Sequence, residues 1–200
     1  AYITLDKIIP LLPNKPNKLK LAFIPTASNI YTDKSWLYKD RDKLVEMGFV
    51  VKDVDIEGKT IEALRKELSD IDVLFVSGGN TFYLLEKAIV SGFDILAKEL
   101  INKGVVYVGS SAGSVLVCPT IEYIKGLDDP TVAPTLTSYI GLNVVSYLVM
   151  PHYGDDDYKE TYRIILENWK NKGYKLKLLA NNEALIVEGK QTKLIKVTQM

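Results

Sequence analysis

The sequence predicts an α/β protein with a mainly parallel central sheet, on three observations. Short β-branched runs alternate with amphipathic stretches through most of the 200 residues, the pattern of strands joined by crossover helices. Two of the runs, Ile71-Asp72-Val73-Leu74-Phe75-Val76 and Val105-Val106-Tyr107-Val108, are apolar enough to be buried on both faces, as central parallel strands are. Each of these two runs into a glycine turn, Ser77-Gly78-Gly79-Asn80 and Gly109-Ser110-Ser111-Ala112-Gly113.

The elements follow in order. Leu19 to Ile24 predicts the first strand, closed by Pro25. Ser35 to Glu46 predicts a helix with Trp36, Leu37, Leu44 and Val45 on its apolar side, stopped by Gly48. Phe49 to Ile56 is the next strand and Thr60 to Ser69 the next helix. After strand 71–76 come a helix from Thr81 and another over Phe93 to Asn102, then strand 105–108. Tyr147 to Met150 predicts a strand running into Pro151-His152, and a charged amphipathic helix covers Tyr158 to Asn171. Leu176 to Leu179, Ala184 to Glu188 and Lys193 to Val197 are the last strands. Gly189-Lys190 turns the final pair into a C-terminal β-hairpin. No repeat, low-complexity tract or linker divides the chain, so a single catalytic domain over 1–200 is expected.

Composition removes several function classes. Lys+Arg and Asp+Glu both number 25, which gives no reason to expect nucleic acid or an anionic membrane as partner. No apolar run approaches the ~20 residues of a membrane helix. The start, Ala1-Tyr2-Ile3-Thr4-Leu5-Asp6, lacks the basic segment and apolar core of a secretion signal. Cys118 is the single cysteine and cannot form an internal disulfide, so the expected compartment is the cytoplasm. With one histidine beside it, the chain has a poor metal-ligand set, and no cofactor is expected. Twelve tyrosines admit an exposed cluster at a homodimer face, though core packing explains them equally well.

Gly-x-Ser-x-Gly between a buried strand and a helix is the pattern of a nucleophile elbow. The serine is strained so that its hydroxyl projects from the sheet edge, and the flanking positions need glycine because strand and helix draw together there. Ser111 then stands at a helix N-terminus, where amide donors favour developing negative charge. A glycine-rich turn with no chemistry is the plain alternative, and the strand before and helix after argue against it. His152 is the sole histidine and therefore the one imidazole that can serve Ser111 as a base near pH 7. Its place after a strand, at a Pro-bounded loop, suits the same sheet edge. For the acid that orients the imidazole, the residues leave Glu183, Asp155-Asp156-Asp157, Asp128 and Asp129 open. Backbone amides of Gly79 and Ala112 could form an oxyanion hole. A phosphate-binding turn at Ser77 to Thr81 is disfavoured, since it lacks the Walker lysine and a full Gly-x-Gly-x-x-Gly. Cys118, on the apolar stretch Val115-Leu116-Val117, is expected to be a buried thiol without a catalytic part.

Val76-Ser77-Gly78-Gly79-Asn80-Thr81-Phe82-Tyr83-Leu84-Leu85, Val108 to Gly113 continuing through Val117-Cys118-Pro119-Thr120-Ile121, Met150-Pro151-His152-Tyr153 and Asn182-Glu183-Ala184 occur in an order that resembles the aspartyl dipeptidase (peptidase E) family of serine peptidases, related to cyanophycinases. The resemblance runs from about Leu19 onward. It implies a three-layer α/β/α fold like class I glutamine amidotransferases (flavodoxin-like), with serine replacing their cysteine. It implies Ser111 as nucleophile, His152 as base, Glu183 as orienting acid and Gly79 and Ala112 as oxyanion donors, with Asn80 among the substrate contacts. The family's preference for an N-terminal aspartate requires a cation at the substrate carboxylate; Arg163 stands near the expected place, one residue out of alignment. Ser110 replaces a residue that is often bulky, Gly126 to Pro130 does not match the family's acidic loop cleanly, and nothing before Tyr2 supplies its opening strand. The expected function is hydrolysis of short peptides, dipeptides with N-terminal Asp foremost. The alternatives are hydrolysis of another amide on the same triad, such as a cyanophycin-like polymer, and a catalytically silent member that binds a small molecule.

Overall fold

Four parallel strands form the central sheet: β1 (Lys20–Ile24), β2 (Val50–Asp53), β3 (Val73–Val76) and β4 (Val106–Gly109), in the order β2-β1-β3-β4. The computed structural model describes residues 2–198; the sequence expectations that reach Ala1, Gln199 and Met200 lie outside them. Strand β1 pairs with β2 on one side and β3 on the other, so the direction in which successive strands are added reverses between β1 and β3. Open α/β sheets form their crevice at that switch point, beyond the carboxyl ends of the strands.

Strand periodicity sorts the core into two layers. Leu21 and Phe23 of β1 and Val73 and Phe75 of β3 face α1 (Ser35–Glu46) through its Leu37 and Leu44. Ala22, Ile24, Leu74 and Val76 face the other way, onto Leu64 of α2 (Ile61–Glu67), Phe82 and Leu85 of α3 (Thr81–Ser91) and Leu96 of α4 (Phe93–Asn102). All four residues of β3 are buried, which is why the run carries no polar alternation. Phe23 and Phe75 stack at 5.2 Å between centroids. Helix starts are capped as short polar side chains allow: Thr60 accepts from the Ala63 amide and Asn80 from the Tyr83 amide. Gly92, at φ 74°, closes α3 and opens α4, a left-handed position suited to glycine.

Beyond β4 a five-residue helix, α5 (Ala112–Leu116), enters the core. The chain then forms β5 (Leu148–Met150), α6 (Lys159–Trp169) and β6 (Leu176–Leu178), with β5 and β6 parallel. Strands β7 (Glu183–Glu188) and β8 (Gln191–Lys196) form an antiparallel hairpin. Its turn is Gly189-Lys190, which pairs Glu188 with Gln191 and so starts β8 two residues before the predicted Lys193. Strand β2 stops at Asp53, short of the predicted Ile56. Two 3-10 turns, Leu5–Leu11 and Pro16–Lys18, carry no periodicity that predicts them, and Leu5 buries among the α1-side core. Among the described residues no helix is long and apolar enough to cross a membrane.

Phe75 carries much of this layering: it is fully buried and stacked on Phe23. Phe75→Ala is expected to cost about 3–5 kcal/mol, seen as a lower urea midpoint with an unchanged m-value.

Candidate active site

Ser111 sits between the end of β4 and the start of α5 with φ 47° and ψ −112°, a conformation that non-glycine residues occupy only when their surroundings force it. The forcing groups are visible on both sides. A Cβ on Gly109 would come within 2.5 Å of the Gly113 carbonyl oxygen, and one on Gly113 would run into the Val76 carbonyl. The spacing of the two glycines is therefore a packing requirement. Around them the Tyr107 hydroxyl donates to the Gly113 carbonyl at 2.7 Å, and the Ser114 hydroxyl to the Ser111 carbonyl at 2.6 Å. The Ser110 hydroxyl donates to buried Asp40 of α1 at 3.0 Å, tying the turn to the opposite helix layer.

Parallel pairing of β5 with β6 brings two further side chains to Ser111. The ladder continues past the strands, with the Leu179 amide bonded to the Met150 carbonyl and the Tyr153 amide to the Leu179 carbonyl, both at 2.9 Å. His152 follows β5 by two residues and Asn181 follows β6 by three, so both emerge at one edge. His152 Nε2 lies 2.9 Å from Ser111 Oγ, and His152 Nδ1 lies 2.6 Å from Asn181 Oδ1. An amide oxygen only accepts, so Nδ1 carries the proton and Nε2 presents its lone pair to the serine hydroxyl. That is the tautomer a general base needs.

His152 also has a positive φ, 59°. Its backbone is gripped by Tyr162 of α6, whose hydroxyl lies 2.9 Å from the His152 carbonyl and 3.0 Å from that of Pro151. Tyr162 is buried, and burial raises its phenol above its ordinary range, so it remains a donor. No sequence motif singles it out; the signal is an aromatic on the inward face of α6.

On the other flank of Ser111 lies the turn after β3. Gly79 has φ 139°, and a Cβ there would collide with the Ala27 carbonyl, which the Asn80 amide binds at 2.9 Å. The Gly79 and Ala112 positions border the same cleft as Ser111 and His152. Among the described residues neither amide donates to another backbone carbonyl, so both remain able to meet an oxyanion.

Three other expected site residues are placed differently. Glu183 does not meet His152: its Oε2 accepts from the Ala180 amide at 3.0 Å and its Oε1 pairs with Lys196 at 3.2 Å. It braces the turn that holds Asn181, and these bonds hold its carboxyl below the usual range. Asn80 is buried and its amide is spent on the scaffold, accepting from Tyr83 and donating to the Asp129 carbonyl at 2.9 Å. Arg163 does not line the cleft and is paired with Glu160 at 2.6 Å and Glu167 at 2.7 Å. Asp155 accepts from the Asp157 amide in a solvated turn. Cys118 is buried and accepts from the Val149 amide at 3.3 Å, and burial pushes its thiol up to about 11. Among the described residues no group of three or more His, Cys, Asp and Glu side chains could hold a metal ion.

Similarity to known proteins agrees with this geometry. The family model for peptidase family S51 matches residues 3–195. An uncharacterized peptidase of Listeria monocytogenes is 32% identical over 187 residues, covering 92% of this chain and 91% of its own. One from Pasteurella multocida is 30% identical, covering 96% and 91%. Peptidase E of Salmonella arizonae is 31% identical over 150 residues, 74% of this chain and 62% of that protein. A solved structure of a peptidase E-type protein from Listeria monocytogenes superposes with a TM-score of 0.91 at 29% identity, over 98% of this chain and 95% of that one. Fold, serine elbow and family match converge, and the chain belongs to the serine peptidases of family S51.

Proposed function

We propose that the chain, acting as one catalytic unit, hydrolyses short peptides through an acyl-enzyme on Ser111. His152 serves as base and acid, Asn181 as the group that orients it, and the Gly79 and Ala112 amides as oxyanion donors. The observation that carries the reading is the Ser111–His152–Asn181 relay, at 2.9 and 2.6 Å. Ser111 Oγ attacks the scissile carbonyl carbon while its proton passes to His152 Nε2. The tetrahedral oxyanion is met by the two amides. On collapse, the C–N bond breaks and His152 returns the proton to the leaving amine. Water then attacks the ester with His152 again as base, releasing the acid and free serine. Asparagine in the orienting place fixes the imidazole without a full countercharge, as it does in papain-like cysteine proteases.

The cleft holds about 510 Å³, room for a short peptide and too little for a folded chain. An N-terminal aspartate fits it poorly. Among the described residues the lining carries Asp40 and Asp128 and no lysine or arginine, and Arg163 is committed to two glutamates. The reading is therefore of short peptides without a preference for aspartate.

Ser111→Ala is expected to lower Ala-Leu hydrolysis by at least about 10³-fold, measured by amine release. Asn181→Ala should cut kcat by roughly 10- to 100-fold, with Glu183→Gln changing it by less than about threefold. The opposite ranking in steady-state assays would return the orienting role to Glu183. Tyr162→Phe, which frees the two carbonyls under His152, should lower kcat about tenfold with KM unchanged. A thermal shift without a kcat effect would make Tyr162 a packing residue only.

A further inference from the structure

The turn that carries Gly79 rests on another turn. A Cβ at Gly79 would collide with the Ala27 carbonyl and come within 2.7 Å of the Ser28 nitrogen, and the Asn80 amide binds that same carbonyl at 2.9 Å. The direction of the Gly79 amide is therefore tied to where residues 26–28 sit. They form a buried 3-10 turn, Thr26–Ser28, just past the end of β1. The sheet reaches it through the Val54 amide on the Phe23 carbonyl at 2.9 Å and the Ser77 amide on the Ile24 carbonyl at 3.1 Å. Beyond those rungs side chains hold it.

Asp55 is the centre of that hold. Its Oδ1 accepts from the Thr26 hydroxyl at 2.7 Å and from the Glu57 amide at 3.1 Å. Its Oδ2 accepts from the Asn29 side-chain amide at 2.8 Å. The Thr26 hydroxyl also accepts from the Ile56 amide at 3.1 Å, so it is used in both directions and has one orientation. One carboxylate thus grips the turn at both ends. Burial raises Asp55, but the bonds from Asn29, Thr26 and the Glu57 amide outweigh it and hold the carboxyl below its ordinary range. It is ionised at neutral pH, and its bonds are charge-assisted. Asn29 donates as well to Glu57 Oε2 at 2.8 Å, and the Tyr83 hydroxyl to Glu57 Oε1 at 2.6 Å. The Tyr83 amide donates to Asn80 Oδ1 at 2.9 Å. These bonds close a circuit from Ala27 through Asn29, Glu57, Tyr83 and Asn80 back to Ala27, with Gly79 at its edge. The circuit brings two carboxylates onto one side-chain amide, where their charges oppose each other.

Resting on the peptidase reading, in which the Gly79 amide meets the oxyanion, we infer that Asp55 is a positioning residue for that donor, acting through Thr26 and Asn29. Asp55 does not line the cleft. Its carboxylate fixes the Ala27–Ser28 peptide, that peptide fixes Gly79 and Asn80, and the donor is preorganised for the charge of the transition state. A donor of this kind loses its effect when displaced by about an ångström.

The test compares Asp55→Ala with wild type on Ala-Leu. The kcat is expressed per Ser111 titrated by a serine-reactive phosphonate, so that unfolded protein does not count. It should fall about 10- to 100-fold, with KM staying within about twofold. The boronic acid analogue of alanine, whose tetrahedral adduct on Ser111 places an oxygen at the oxyanion position, should weaken by the same factor. Binding of Ala-Leu to protein that also carries Ser111→Ala should not change. Thr26→Val should repeat the pattern, and Thr26→Ser, which keeps the hydroxyl, should recover most of the activity. Asn29→Ala, at a half-buried position, decides by the same readouts if Asp55→Ala does not fold. An unchanged kcat, a loss confined to KM, a lower kcat with undiminished boronate affinity, or Thr26→Ser no better than Thr26→Val would overturn the inference and leave the peptidase reading standing. A wild-type protein that cleaves no peptide, and whose Ser111 resists the phosphonate, overturns the peptidase reading and the inference with it.

Discussion

The close approach of backbone to backbone around Ser111 is the constraint on which the site depends. The Val76 carbonyl, at the end of β3, stands where a Gly113 side chain would be, and the Gly113 carbonyl stands where a Gly109 side chain would be. Strand β4 and helix α5 can meet at this distance only without side chains, and the meeting forces Ser111 to φ 47°. Strain of this kind survives when its neighbours over-determine it. Here Tyr107, Ser114 and Ser110 each spend a hydroxyl on the turn or its anchor. The cost of holding the nucleophile is thus carried by both helix layers, through β3 on one side and Asp40 of α1 on the other.

A second strained residue completes the geometry. His152, at φ 59°, leaves β5 in a direction a regular strand could not give, and Tyr162 locks that exit by binding its carbonyl. The parallel pairing of β5 with β6 then matters more than the hairpin that follows. It fixes Asn181 opposite the imidazole, while β7 and β8 only anchor the turn, through the Glu183–Lys196 pair and the Asn182–Val197 bonds. Orientation by an amide sets the tautomer as firmly as a carboxylate would and stabilises the imidazolium less. On the proposed mechanism catalysis then rests more heavily on the Gly79 and Ala112 amides, which fits the rigid glycine turn on that flank.

Much of this was legible in the sequence where one physical cause dominates. Strands β3 and β4 were readable because burial on both faces leaves an unbroken apolar run, and Ser111 because two glycines at fixed spacing are a steric signature. The first strand and the helices of the central layer followed from periodicity. The assignment of Glu183 had a different basis, resemblance at Asn182-Glu183-Ala184; in the structure Glu183 meets Lys196 and the Ala180 amide, and Asn181 is the group beside His152. Nothing local distinguishes Asn181 from its neighbours; only the parallel register of β5 and β6 brings it to His152. Arg163 is engaged away from Ser111 for a related reason. On α6 it has Glu160 and Glu167 within a turn on either side, and such i,i+3 and i,i+4 partners capture a surface arginine before any substrate can. The 3-10 turns near the N-terminus were unreadable because short irregular segments carry no period.

Mechanism and specificity draw on separate parts of the fold. The Ser111 turn, the His152 imidazole and the Gly79 and Ala112 amides are set by backbone geometry. The substrate is chosen by side chains on the cleft wall, which the backbone leaves free to vary. In this chain the described wall carries Asp128 and the rings of Tyr31, Trp36 and Tyr158, so a substrate carboxylate beside Asp128 would meet like charge in a partly desolvated space. Membership in family S51 shows a serine peptidase, while the proposed lack of a preference for aspartate rests on the side chains of this wall alone.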